Sequence, residues 1–90
     1  MIVKNMEKEK DLELLKQIAK DIAKHKSKWL IIKEINNMLE GHYDKYHFSG
    51  ILARYDILKP EYFEIIEKLE NRELLLTLRK YIREIIFNKS

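Results

Sequence analysis

NRELLLTLRKYIREIIFN, residues 71–88, is the longest regular pattern in the chain. Its apolar residues recur at intervals of three and four, the period of an α-helix with one buried side. Leu74, Leu75, Leu78, Tyr81, Ile82, Ile85 and Ile86 fall within an inward arc of about 140°. Asn71 ends the preceding helix or caps this one. Such a helix must lay its apolar side on other helices. The expectation for the whole chain is therefore all-α, a single-domain bundle of four to five helices, mostly antiparallel.

Upstream, Pro60 marks a helix start, because proline suits the first turn and drives its predecessor out of helical geometry. From Pro60 to about Leu69, the residues Tyr62, Phe63, Ile65, Ile66 and Leu69 share one face, and Glu61, Glu64 and Glu67 take the other. Before it lies GHYDKYHFSG, residues 41–50, aromatic and polar with no helical period. This reads as the longest loop, with a short helix following from about Ser49 to Asp56. The first helix is expected from Met6 or Asp11 to Lys24, burying Leu12, Leu15, Ile18, Ala19, Ile22 and Ala23. A second begins after Ser27, an N-cap residue type, and runs through Trp29, Ile32, Ile35 and Leu39 to Gly41 at a C′ position. The turn at 25–28 is so brief that these two helices should be antiparallel.

Composition sets the class. Ninety residues, 46% apolar and 37% charged, with two Gly and one Pro, suit one compact domain, and no apolar run approaches a membrane span of about 18 residues. Without cysteine there is no disulfide framework, thiolate zinc site or cysteine nucleophile. The start MIVKNMEKEK places charges where a signal peptide needs an apolar core, so a cytoplasmic location is expected. The net charge of +3 hides a pattern. Residues 1–33 carry nine bases and five acids, 34–70 four and eight, and 71–90 five and two, so the charge runs +4, −4, +3.

Catalytic constellations are hard to assemble. Candidate nucleophiles are Ser27, Ser49, Ser90, Thr77 and the tyrosines, and Ser27 and Ser49 are explained as helix caps. No nucleophile elbow, glycine-rich phosphate loop or H-E-x-x-H motif occurs, so neither an enzyme nor a cofactor is expected. His42, Asp44 and His47 are the one candidate metal set, since imidazole and carboxylate suit zinc. The competing reading is a polar loop with two surface histidines, packed by Tyr43, Tyr46 and Phe48. His25 is expected to complement the dipole at the end of the first helix.

Two surfaces are candidates for binding. Lys16, Lys20, Lys24 and Lys28, at fourfold spacing, form a stripe able to contact nucleic acid phosphates or anionic lipid. Glu13 and Asp21 are expected to pair with Lys16 and Lys24 at three residues' distance and cancel part of that field. On the last helix, with Leu74 at zero, Arg79, Arg72 and Arg83 project at about 140°, 160° and 180°, and Leu76 and Phe87 at about 200° and 220°. Arginines beside exposed apolar residues favour interface centres. A helix-turn-helix with the 60–70 helix as reader would bring Glu61, Glu64, Glu67 and Glu70 to phosphates, which is electrostatically wrong. The expected function is a small non-enzymatic regulator, inhibitor or adaptor that docks Arg72, Leu76, Arg79, Arg83 and Phe87 on a protein partner or on itself as a homodimer. The acidic face of Glu61, Glu64 and Glu67 complements the basic ends in that homodimer. The alternatives are nucleic acid binding by the first and last helices, and a membrane-surface or toxin-neutralising bundle.

Overall fold

A computed structural model describes the backbone of residues 2–41 and 45–88 and the side chains of residues 8–41 and 48–88. It contains five α-helices: α1 (Ile2–Lys24), α2 (Lys28–Leu39), α3 (Lys45–Arg54), α4 (Phe63–Glu67) and α5 (Arg72–Phe87). Single 3₁₀ turns, Pro60–Tyr62 and Lys68–Glu70, extend α4 at both ends. No strand occurs among the described residues.

The apolar stripes meet in one core. Leu15, Ile18, Ala19 and Ile22 from α1 pack with Ile31, Ile32, Ile35, Met38 and Leu39 from α2, and with Leu75, Leu78 and Ile82 from α5. Phe48, Ile51 and Leu52 of α3 and Tyr62, Ile65, Ile66 and Leu69 around α4 close it. Among the described residues no buried side-chain nitrogen or oxygen lacks a hydrogen-bond partner, so burial leaves no uncompensated desolvation cost.

Side-chain pairs define the helix directions. Lys68 meets Asp11 at 3.1 Å and Lys59 meets Asp21 at 3.4 Å, so α4 runs antiparallel to α1. Lys16 lies over the Tyr81 ring, and Ala23 shares a cleft with Ile85 and Ile86, so α5 runs parallel to α1. The short turn after Lys24 makes α1 and α2 antiparallel. Successive helices thus reverse at both short connections, while the extensive α1 to α5 packing joins two parallel helices from the chain ends.

Local signals act largely as expected. The Asn71 side chain accepts from the Glu73 amide at 2.8 Å and caps α5. Gly41 follows α2 with φ of 106°, a conformation that L side chains rarely adopt. Five expectations need correction, the first being the start of α1, at Ile2 and not at Met6 or Asp11. Helix α3 starts at Lys45, so much of the presumed loop is helical, and Ser49 lies inside α3 instead of capping it. A Cβ at Gly50 would meet open space, so packing does not require glycine there. Ser27 occupies the N-cap position of α2 without a side-chain cap bond. Phe63 is 51% exposed and does not join the buried face of Tyr62, Ile65, Ile66 and Leu69.

Helix α3 ends without glycine. Ile57 donates to the Leu52 carbonyl at 2.8 Å and Asp56 to the Ala53 carbonyl at 3.1 Å, the paired bonds of a Schellman ending. Asp56 holds the left-handed position, with φ of 59°.

Candidate interaction surface

The outer side of α5 divides into two parts. At its start, Arg72 donates to the carbonyl of Leu39, the last residue of α2, at the negative end of that helix's dipole. Two turns on, Arg79 donates to Asn36 Oδ1 at 2.8 Å. These arginines hold α5 antiparallel against α2, and Leu76 packs half-buried against the core. Three of the five residues expected to face a partner therefore have intramolecular roles.

The remaining two form a different surface. The Arg83 guanidinium lies 5.7 Å from the centre of the Phe87 ring, within cation–π range. Phe87 in turn lies 6.2 Å from the Trp29 ring at an interplanar angle of 54°. Phe87 is 65% and Trp29 50% exposed, so this aromatic pair is only partly withdrawn from water. Trp29, in the apolar series of α2 with Ile32, Ile35 and Leu39, lies at the surface beside Phe87 of α5. Sequence periodicity pointed to Phe87 and Arg83 but had no means of adding Trp29.

A second surface of opposite sign lies on α4. Glu61, Glu64, Glu67 and Glu70 are exposed along this segment, as is Phe63. Beneath them, the buried Tyr62 hydroxyl donates to Asp21 Oδ2, and Lys59 lies 5.6 Å over the Tyr62 ring while pairing with Asp21. Burial, then the hydrogen bond and charge of Asp21 with that of Glu61, pushes the Tyr62 hydroxyl above the ordinary tyrosine range.

The lysine stripe of α1 is less cancelled than its spacing implies. Asp21 is bonded to Tyr62 and Lys59, and Lys16 lies 5.7 Å over the Tyr81 ring. Lys20, Lys24 and Lys28 instead surround a cleft of about 300 Å³ whose floor is Ala23, Ile85 and Ile86.

Other expected chemistry is differently placed. Thr77 Oγ1 donates to the Glu73 carbonyl at 2.8 Å, an ordinary intrahelical bond. His25 Nδ1 accepts from the Ser27 amide at 2.9 Å, and its ring meets Tyr55 edge-on, so it shapes the α1 to α2 turn by hydrogen bonding. His42, Tyr43, Asp44 and Ser90, with the side chains of Tyr46 and His47, lie outside the described residues. Among the described residues, no three His, Asp or Glu side chains converge to hold a metal ion. No described helix is long and apolar enough to cross a membrane. Comparison with protein-family models, curated proteins and solved structures yields no match.

Proposed function

We propose that the protein is a non-enzymatic interaction module that binds a protein partner through the C-terminal end of α5 and the start of α2. The carrying observation is the cluster of Trp29, Phe87 and Arg83, in which a cation covers one exposed aromatic ring and a second ring flanks it. Tryptophan and arginine dominate the energetic centres of interfaces, because they combine large apolar area with directed polar contacts.

Charge complementarity favours a second copy of the chain as that partner. Lys80 and Arg83 line the surface beside Phe87, with Glu84 as its one acid, whereas exposed Phe63 lies in a segment whose exposed charges Glu61, Glu64 and Glu70 are acidic. Each surface offers an uncovered aromatic side chain within a charge field opposite to the other. Bringing them together between chains would bury both apolar groups and place arginine against carboxylate.

The test is the double variant Arg83→Glu with Phe87→Ser. Both positions are exposed, so helical content and unfolding temperature should stay near wild type while self-association is lost. Adding Glu64→Lys to Arg83→Glu should restore part of the association by reversing both signs. Association unchanged by the double variant would remove the proposal.

A further inference from the structure

The geometry points to a second binding site, in the cleft between the C-terminal ends of α1 and α5, and we propose that it takes a single-chain anionic amphiphile, an alkyl carboxylate. The carboxylate would lie among the ammonium groups of Lys20, Lys24 and Lys28, and the chain along Ala23, Ile85 and Ile86. This site is distinct from the Trp29, Arg83 and Phe87 surface and does not depend on self-association.

The first observation is charge. Lys20 and Lys24 stand one turn apart on α1, where like charges repel, Lys28 opens α2 beside the same cleft, and the described lining of the cleft contains no acid. The carboxylate nearest in sequence, Asp21, is bonded to Tyr62 and Lys59 and is not part of this lining. An anion entering the cleft therefore meets three cations and no competing carboxylate from its lining.

The second observation is the floor. Ala23 is 8% exposed and Ile85 and Ile86 are half-buried, so the apolar surface is recessed below lysine stems that can lie along it while their heads reach outward. The small Ala23 side chain opens room between the helices. A bilayer would meet the lysine heads before it reached this floor, whereas one alkyl chain can enter.

The third observation excludes other occupants by their chemistry. None of the six lining side chains accepts a hydrogen bond, so peptide N–H groups would be left unpaired by them. The described lining has no aromatic ring on which a nucleobase could stack and no glycine turn to cradle a phosphate. A charged head on a saturated chain leaves none of these needs unmet.

Titration of the full-length protein with sodium decanoate below its micellar concentration tests the proposal, followed by backbone amide chemical shifts and Trp29 fluorescence. Saturable one-to-one binding is expected, with shifts concentrated in the C-terminal turns of α1 and α5. Lys20→Gln, Lys24→Gln and Lys28→Gln together should weaken it roughly tenfold or more, since three charge-assisted contacts are lost. These lysines are at the surface, so the variant should fold. Acetate giving the same shifts would overturn the proposal in favour of simple anion attraction. Equal binding of octyl glucoside would overturn it in favour of apolar contact alone. Lysine-dependent binding to phosphatidylglycerol vesicles without decanoate binding would overturn it in favour of a membrane surface. Absence of any binding would overturn it outright.

Discussion

The Tyr62 hydroxyl donates to Asp21 Oδ2 across 41 positions of sequence, with Lys59 closing on the same carboxylate oxygen. The bond ties α4 to α1 and fixes the direction in which Asp21 faces. A carboxylate that helical spacing would give to Lys24 is instead hydrogen-bonded to α4, while Lys20 and Lys24 line the cleft beside α5.

Tyr62→Phe should cost about 1 kcal/mol near neutral pH, the usual net contribution of one hydrogen bond, while Asp21 keeps Lys59. The pH dependence has a definite sign. Because the folded-state pKa of Tyr62 is raised, its contribution is full below the ordinary tyrosine value of 10.0 and declines as pH rises from there. Urea unfolding from pH about 9 upward should show wild-type stability falling more steeply than that of Tyr62→Phe. Parallel pH curves for the two proteins would count against this role.

Asp56 and Gly41 form a contrasting pair of helix endings. At φ of 59°, Asp56 bears the steric cost of a Cβ in the left-handed region, so Asp56→Gly should stabilise, by up to about 1 kcal/mol after glycine's greater unfolded-state entropy is offset. At φ of 106°, Gly41→Ala should destabilise by about 1 kcal/mol or more although no neighbouring atom obstructs the new methyl. Thermal unfolding of both variants measures the two effects.

Arg72, Arg79 and Arg83 share one stripe but should respond differently to alanine. Arg79→Ala removes a part-buried bond to Asn36 and should cost about 1 kcal/mol of stability, with Arg72→Ala costing less because its side chain is more exposed. Neither should reduce self-association much. Arg83→Ala should leave stability within about 0.5 kcal/mol and weaken association. Denaturant titration beside sedimentation analysis of the three variants separates these outcomes. Equal loss of association in all three would mean that the whole stripe docks as a unit.

The stripe also shows how far periodicity reaches. The apolar spacing of 71–88 was enough to define α5, its inward arc and the direction in which each arginine leaves the helix. It could not supply partners, because the Leu39 carbonyl and Asn36 lie 33 and 43 positions away and belong to a different periodic segment. The pairing of Trp29 with Phe87 is hidden for the same reason, since it depends on the approach of α5 to α2. The start of α3 was missed because a polar, aromatic run containing Gly50 has little local helical signal, while buried Phe48, Ile51 and Leu52 stabilise the helix through the core.

Charge behaved similarly. The division into basic ends and an acidic middle was legible from composition. Which charges would neutralise one another was not, because Asp21 and Asp11 pair with Lys59 and Lys68 across the bundle instead of within their own helix.

Sedimentation equilibrium of the wild-type chain at about 0.01 M and about 1 M salt tests the central claim most directly, because the screening length falls from about 30 Å to about 3 Å between them. Association through the basic Trp29, Arg83 and Phe87 surface and the acidic Phe63 surface predicts a mass above that of the monomer at low salt. That mass should decline at high salt, and Arg83→Glu with Phe87→Ser should be monomeric at both. A monomeric wild type at low salt, or an associated double variant, would contradict it.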